Sequence, residues 1–262
     1  MILRAARPPY TPSMEPSITT SALSRDPRIG LALAARMGFR QVTLSAAQSG
    51  LRPRELDRSA RRGLLAELNR LELRCDALDL FIPPEHFSDP GTVDRAVEAV
   101  GAGLELAADL GASALSIRLP VEDPEAEALE STAELARLAE HSAVRLLDVE
   151  LGGRAMRSLE SGSPIPIGIG LDTAAWLADQ RDPLDGLVRF GAMVGGVRLV
   201  DLDPTGTRGP LGPGGRLDLD SLKRALSLDA TRRSVVVDAR GWRDPSAGAG
   251  TVLEAWRSGT GA

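Results

Sequence analysis

Short apolar runs alternate along the chain with longer segments in which apolar residues recur every three or four positions. The short runs are typical of buried strands, and the longer spacing is typical of amphipathic helices. In residues 91–110, for example, Val93, Val97, Val100 and Leu104 fall on one helical face. The pattern predicts eight strands, at residues 17–20, 40–45, 74–81, 113–119, 144–151, 165–171, 197–202 and 234–238. It also predicts helices at residues 27–37, 53–71, 91–110, 124–140, 219–226 and 245–256, with short helices leading up to residue 190.

The predicted helices share their start and stop signals. Five Asp-Pro pairs precede helices, at residues 26–27, 89–90, 123–124, 182–183 and 244–245. Aspartate accepts hydrogen bonds from the free N–H groups of a first turn, and proline fits the first helical position. Gly38 and Gly111 stand at predicted helix ends, where glycine is common. Eight strand-then-helix units in about 250 residues predict an α/β fold, a single (β/α)8 TIM barrel.

A doubly wound open sheet is the alternative α/β fold. It is disfavoured because no Gly-x-Gly-x-x-Gly follows the first predicted strand and no P-loop lysine is present. No linker divides the chain, so we predict one barrel domain over residues 16–262. Residues 1–15 are predicted to form a disordered leader, within which Met14 is an alternative start to Met1.

Composition and charge exclude several functional classes. The formal net charge of -5 disfavours nucleic-acid binding, which needs a basic surface. One cysteine, Cys75, excludes an intramolecular disulfide framework, and two histidines, His86 and His141, exclude sites that need three. No apolar run is long enough to span a bilayer, and the N-terminal residues lack the apolar core of a secretory signal. We therefore expect no membrane partner and a cytoplasmic location.

Candidate functional residues are sought where strands end, because TIM barrels place their sites there. Along the fifth predicted strand, alternation puts Asp148 and Glu150 on one face, and we expect both carboxylates to point into the pore or its mouth. His86 follows the third strand and is a candidate substrate contact, with an ordinary loop histidine as the alternative. The polar residues at the predicted strand ends are Ser45, Arg118, Glu150, Asp172, Arg198, Asp201, Asp238 and Arg240.

Four segments carry a resemblance to a known family. They are VRLLDVE at residues 144–150, IGLDTAA at 169–175, VRLVD at 197–201 and LGPGGRLD at 211–218. With them, residues 17–256 resemble the xylose-isomerase-like TIM-barrel superfamily, in particular its sugar phosphate isomerase/epimerase group. The resemblance implies a sugar or sugar-phosphate isomerase or epimerase. Such a protein moves a proton next to a carbonyl at one divalent cation, Mn2+ or Mg2+.

The resemblance also implies roles for particular residues. Its metal ligands correspond to Glu150, Asp172 and Asp238, and Arg198 stands where the family has a histidine ligand. Glu150 and Asp238 correspond to the two catalytic proton-transfer residues, although Asp238 is shorter than the family's glutamate. A second family histidine, which contacts substrate, falls on Ala175. Arg208 matches a substrate-binding arginine, and Arg198 is a further candidate for the substrate site.

The arginine at position 198 leaves two hypotheses open. In the first, three carboxylates still hold a divalent cation, and Arg198 swings out to bind substrate oxygens. In the second, Arg198 itself neutralises the carboxylates and no metal is needed, because arginine stays protonated and pairs with carboxylates in two-point contacts. The barrel is then catalytically inactive, with a mouth that binds a sugar, a polyol or a partner protein. A small carbohydrate is the expected partner under either hypothesis, and the oligomeric state is left open.

Overall fold

The eight predicted strands form one closed parallel barrel. The computed structural model describes residues 15–121, 126–212, 214–228 and 233–258. The last barrel strand pairs with the first, which closes the sheet. This confirms the predicted (β/α)8 barrel and excludes the open doubly wound sheet. The barrel strands are β1 (Ser17–Thr19), β2 (Gln41–Ser45), β3 (Arg74–Asp79), β4 (Ala114–Ile117), β5 (Arg145–Asp148), β6 (Gly168–Asp172), β7 (Val194–Leu199) and β10 (Ser234–Val237).

Two further strands, β8 (Asp201–Leu202) and β9 (Arg208–Gly209), form a small antiparallel hairpin beyond the barrel. The predicted seventh strand ran from residue 197 to 202 without a break. In the structure the chain leaves the barrel after Leu199, and the Thr173 hydroxyl accepts a hydrogen bond from the Val200 N–H at 3.0 Å. The residues that follow are therefore free to build the hairpin at the carboxyl ends of the strands.

Helices surround the barrel on its outer side. They are α1 (Pro27–Arg36), α2 (Arg58–Arg70), α3 (Val93–Leu110), α4 (Ala126–Ser142), α5 (Arg154–Glu160), α6 (Thr173–Ala178), α7 (Pro183–Phe190), α8 (Leu219–Leu228) and α9 (Pro245–Ser258). The sequence pattern did not predict α5, and it merged residues 53–55 with α2. A short 3-10 turn occupies Pro53–Glu55, and Asp57 then caps α2 by accepting from the Ala60 N–H at 2.7 Å.

The predicted start and stop signals act as expected at several helices. Asp26 and Asp182 accept backbone hydrogen bonds in the first turns of α1 and α7, at 2.8 and 2.9 Å. Gly111 ends α3 in the left-handed conformation, with φ of 71°. Asp123 lies outside the described residues, as does the predicted leader apart from Glu15. No helix within the described ranges is both long and apolar enough to cross a membrane.

The barrel interior contains an apolar layer. There Ala77, Ala114 and Leu147 form a small cluster of buried side chains. Leu147 can occupy the centre because the facing positions of β6 and β7 are glycines. A Cβ added at Gly196 would lie 3.0 Å from the Leu147 Cδ1 atom. Above this layer, at the carboxyl ends of the strands, the interior is filled by charged side chains.

Candidate functional site

A buried arginine lies at the centre of the mouth of the barrel. Arg198, on β7, donates to Asp238 through Nη1 at 3.0 Å and to Asp79 through Nη1 at 3.3 Å and through Nη2. Asp79 ends β3, and Asp238 directly follows β10. The side chains of all three residues are at most 7% exposed. The guanidinium thus joins strands from opposite sides of the barrel.

Arg240 adds a second guanidinium to the same carboxylates. Its Nε donates to Asp238 at 2.7 Å, its Nη2 donates to Asp238 at 2.5 Å, and Nη2 lies 3.2 Å from Asp79. Burial opposes ionisation of Asp238, but the hydrogen bond from Arg240 and the charge of Arg198 outweigh it and hold the pKa of Asp238 well below its usual range. Burial likewise opposes the charge of Arg198, but Asp79 and Asp238 raise its pKa. We call these four residues the central cluster; its two positive and two negative charges balance.

Three guanidinium groups of the mouth lie around the aromatic ring of Phe81. The central guanidinium carbons of Arg118, Arg198 and Arg240 lie 5.1, 5.1 and 4.8 Å from its ring centroid. These distances are within the range of cation–π attraction. Phe81 is partly exposed, two residues beyond Asp79. It therefore lies between the buried central cluster and the exposed rim.

Glu150 lies at the rim and not in the central cluster. Its Oε2 is 3.6 Å from the Arg118 Nε, and the two side chains are 33% and 51% exposed. The expectation that the Asp148 side chain points into the pore or its mouth together with that of Glu150 was wrong. Asp148 accepts backbone hydrogen bonds from Leu119, Glu150 and Ala155, the last of these in α5 on the outer side of the barrel. On β5 the side chain that points into the barrel is that of Leu147. The strand ends at Asp148, so the alternation of the strand does not determine the direction of Glu150.

Asp172 is paired with Arg208, which the hairpin brings across from β9. Arg208 donates from Nη1 and Nη2 to the two oxygens of Asp172, at 3.1 and 2.7 Å. Asp172 also caps α6 through the Ala175 N–H at 3.0 Å. The connection that follows β9 is held by Asp201, which accepts from the N–H groups of Arg216 and Leu217 at 2.8 and 2.9 Å. The hairpin and its connection thus fix Arg208 over one side of the mouth.

His86 lies on a short 3-10 turn, Pro84–Phe87, that follows β3. Its backbone carbonyl accepts from the Thr92 hydroxyl at 3.3 Å. Among the described residues we find no hydrogen bond or ion pair between its side chain and the arginines of the mouth. The turn lies at the same end of the barrel as the central cluster, so a contact with substrate stays a prediction.

The carboxylates predicted to bind one cation are thus divided among different partners. Asp238 belongs to the central cluster, Asp172 to Arg208, and Glu150 to Arg118. Within the part of the chain that the structure describes, no group of three or more His, Cys, Asp or Glu side chains is placed to hold a metal ion.

Asp79 is the residue of the site that the sequence analysis missed. Its signal was a single carboxylate inside the otherwise apolar strand end ALDLF, residues 77–81. Alternation puts it on the same face as Ala77 and Phe81, which is the inner face. Arg240 was recognised only as a polar residue beside Asp238, and its pairing with two carboxylates was not predicted.

Comparisons with known proteins identify the fold. No protein-family model and no curated protein sequence matches the chain. Similar solved structures include an L-ribulose 3-epimerase, with 20% identity, 94% of each chain covered and a TM-score of 0.74. A D-allulose 3-epimerase from Methylomonas sp. shares 18% identity, with 94% of this chain and 98% of that chain covered and a TM-score of 0.70. A probable 3-DHS dehydratase from Bacillus anthracis shares 12% identity, with 94% and 99% covered and a TM-score of 0.74. The chain therefore has the fold of the xylose-isomerase-like TIM barrels, to which sugar epimerases and isomerases belong.

Proposed function

We propose that this chain is a metal-independent barrel whose mouth binds a small sugar or polyol, with the Arg198 guanidinium in the place of the divalent cation. The observation that carries the proposal is the position of Arg198, held between Asp79 and Asp238 at the centre of the mouth. Isomerisation or epimerisation at a bound metal is the alternative that this proposal replaces.

The residues present do not fit a Mn2+ or Mg2+ ion. Such ions bind oxygen ligands that are free to surround them. Here each carboxylate that the resemblance assigns to the metal has an arginine partner: Glu150 pairs with Arg118, Asp172 with Arg208, and Asp238 with Arg198 and Arg240. A cation would have to displace these partners one after another.

Arg198 also opposes a cation by its own charge, since arginine stays protonated at any ordinary pH. Two unit charges 4 Å apart repel each other by about 4 kcal/mol at an effective dielectric constant of about 20. A divalent ion doubles that repulsion. The central cluster is already neutral, so a further cation would gain no compensating attraction there.

The same contacts make Asp238 a poor general base. A base works best when its pKa lies near the working pH, whereas the arginines hold the pKa of Asp238 well below its usual range. We therefore assign Asp238 to holding Arg198 and Arg240 in place. Glu150, the other predicted proton-transfer residue, is paired with Arg118 at the rim.

A carbohydrate ligand is supported by the fold and by the chemistry of the rim. Two solved structures of this fold contain sugars, a D-psicose 3-epimerase with D-tagatose and a D-allulose 3-epimerase with D-allulose. In this chain Arg118 and Arg208 are about half exposed at the mouth, and they offer donors for hydroxyl oxygens. Phe81 offers an apolar face beside them. The substrate-binding role predicted for Arg208 is part of this proposal, as is the cytoplasmic location.

Calorimetric titration of the full chain with D-tagatose and with sorbitol, in EDTA and again with added Mn2+, tests this proposal. We expect the same affinity in both conditions and no new sugar in the mixture by NMR. Arg208→Gln should weaken binding, and the control Arg40→Gln should not, because Arg40 forms an exposed ion pair with Glu72 next to the amino end of β2. Binding or epimerisation that requires Mn2+ would overturn the proposal.

A further inference from the structure

Arg118 and Arg240 both present unused hydrogen-bond donors to the mouth beside Phe81. Arg118 donates no hydrogen bond to any of the described residues, and its one ion pair, with Glu150, is 3.6 Å long. Arg240 uses Nε and Nη2 for the central cluster, and its Nη1 donates to none of the described residues. Its side chain is 29% exposed. Their guanidinium carbons lie 5.1 and 4.8 Å from the centroid of the same ring.

We propose that this pair of arginines binds the acidic group of the ligand, a carboxylate or a phosphate, so that the mouth takes an anionic sugar derivative in preference to a neutral sugar. This inference rests on the proposed function, because it names the chemical class of ligand for that mouth. Planar guanidinium groups with free N–H donors are the side chains best matched to carboxylate and phosphate oxygens. Phe81 lies beside both of them and can contact the carbon skeleton of the ligand.

The way in which the ion pairs of the mouth are formed leaves Arg118 open to an anion. The central cluster is neutral by itself, and the charge of Arg208 is paired with both oxygens of Asp172. Among the ion pairs that the structure describes at the mouth, the one between Arg118 and Glu150 is the longest, and both of its side chains reach solvent. Exposed ion pairs of this kind contribute little stability. An incoming acid can therefore displace Glu150 from Arg118 at small cost, and Glu150 then turns to water.

Glu150 consequently acts as a competitor of the ligand, which is opposite to its role in a metal-dependent enzyme. Its removal should tighten the binding of an acid, because Arg118 loses its other partner and a negative charge leaves the rim. A metal ligand or a catalytic base in the same position would produce the reverse effect, a loss of binding or of turnover. The sign of the effect of Glu150→Gln thus separates the two roles.

The test is calorimetric titration of the full chain with gluconate, glucose 6-phosphate, inorganic phosphate and neutral sorbitol. We expect gluconate or glucose 6-phosphate to bind at least about tenfold more tightly than sorbitol, and added salt to weaken only the anions. Arg118→Gln should weaken the anions about tenfold, and it should weaken sorbitol much less, because sorbitol loses one hydrogen bond but no charge pairing. Glu150→Gln should tighten them about threefold. Comparing gluconate with glucose 6-phosphate shows whether the site prefers a carboxylate or a phosphate. Inorganic phosphate shows whether an oxyanion binds without an attached sugar.

Arg181→Gln is the matched control, because Arg181 is also 51% exposed, ion-paired with Asp179 and stacked on an aromatic ring, that of Trp176. It should leave every affinity unchanged. Equal affinities for sorbitol, gluconate and glucose 6-phosphate, or a lower affinity of Glu150→Gln for the anions, would overturn this inference. Neither result would contradict the proposed metal-independent polyol site. No binding of any probe would overturn both. Circular dichroism checks that the variants, all at exposed or partly exposed positions, remain folded.

Discussion

Replacing Arg198 with methionine removes the buried positive charge and keeps a side chain of similar length. In the wild type, Arg198 and Arg240 share the carboxylates of Asp79 and Asp238, whose side chains are 1% and 7% exposed. In Arg198→Met two buried carboxylates are left with one guanidinium. The variant must therefore either bury an uncompensated negative charge or take up a proton on folding.

The magnitude follows from the burial of the cluster. Removing one partner of a buried ion pair costs about 3–5 kcal/mol, and the lower end applies here because Arg240 remains in contact with both carboxylates. We therefore expect Arg198→Met to lower the free energy of unfolding by about 3 kcal/mol. For a chain of this size that corresponds to a fall in Tm of about 6–12 °C.

Urea denaturation monitored by circular dichroism measures this loss. Arg118→Met is the matched control, because it removes an arginine from the same Phe81 ring but from an exposed ion pair. It should cost less than about 1 kcal/mol. A second variant, Arg198→Met with Asp79→Asn, should recover part of the loss, because it removes one of the two charges left unpaired.

The pH dependence of the loss provides an independent check. In Arg198→Met one buried carboxyl has a pKa above its value in the unfolded chain, so the folded state binds the extra proton as the pH falls. The deficit relative to the wild type should therefore shrink as the pH is lowered from neutral towards 5. A loss below about 1 kcal/mol, or one equal to that of Arg118→Met, would refute the assignment of Arg198 as the charge that holds the mouth together.

Two further predictions concern the loops that shape the mouth. Burial raises the pKa of Asp148 from 3.8 to about 6 despite three backbone hydrogen bonds. Keeping this carboxylate ionised therefore lowers the free energy of unfolding by about 3 kcal/mol above pH 6, and by nothing below the pKa of the unfolded chain. The free energy of unfolding of the wild type, measured by urea denaturation relative to Asp148→Asn, should therefore fall as the pH rises from 4 to 6.5. A difference between the two proteins that stays constant over this pH range would contradict the prediction. Gly215→Ala would place a methyl group on the Asp201 carboxylate, whereas nothing lies within 4 Å of a Cβ at Gly212. We expect Gly215→Ala to cost about 1–3 kcal/mol and Gly212→Ala less than about 0.5 kcal/mol in thermal unfolding, and equal losses would contradict the anchoring role of Asp201.

Most of the fold could be predicted from the sequence because each unit repeats the same local signals. Every barrel strand is short and contains at least one buried apolar residue, and aspartate before proline opens several helices. The exception, α5, begins after Gly153, which offers no side-chain cap, and it is only seven residues long. Helix α2 begins later than predicted because Asp57, and not Pro53, supplies the cap.

The composition of the mouth could be predicted only in part. The barrel rule located Arg198, Asp238 and Arg240 at strand ends, but it does not determine which carboxylate each arginine meets. That choice depends on which residues of distant strands point inward. On β5 the inward residue is Leu147, so alternation counted on that strand alone misplaced Asp148. Asp79 was missed because a lone carboxylate in an apolar strand has no partner nearby in the sequence.

The central claim is that the Arg198 guanidinium occupies the place of a metal ion. Calorimetric titration of the EDTA-treated wild-type chain with Mn2+ tests it most directly. The pairing of Asp238 with Arg198 and Arg240 predicts no stoichiometric binding of Mn2+. One tightly bound Mn2+ per chain, lost in Asp238→Asn, would contradict it.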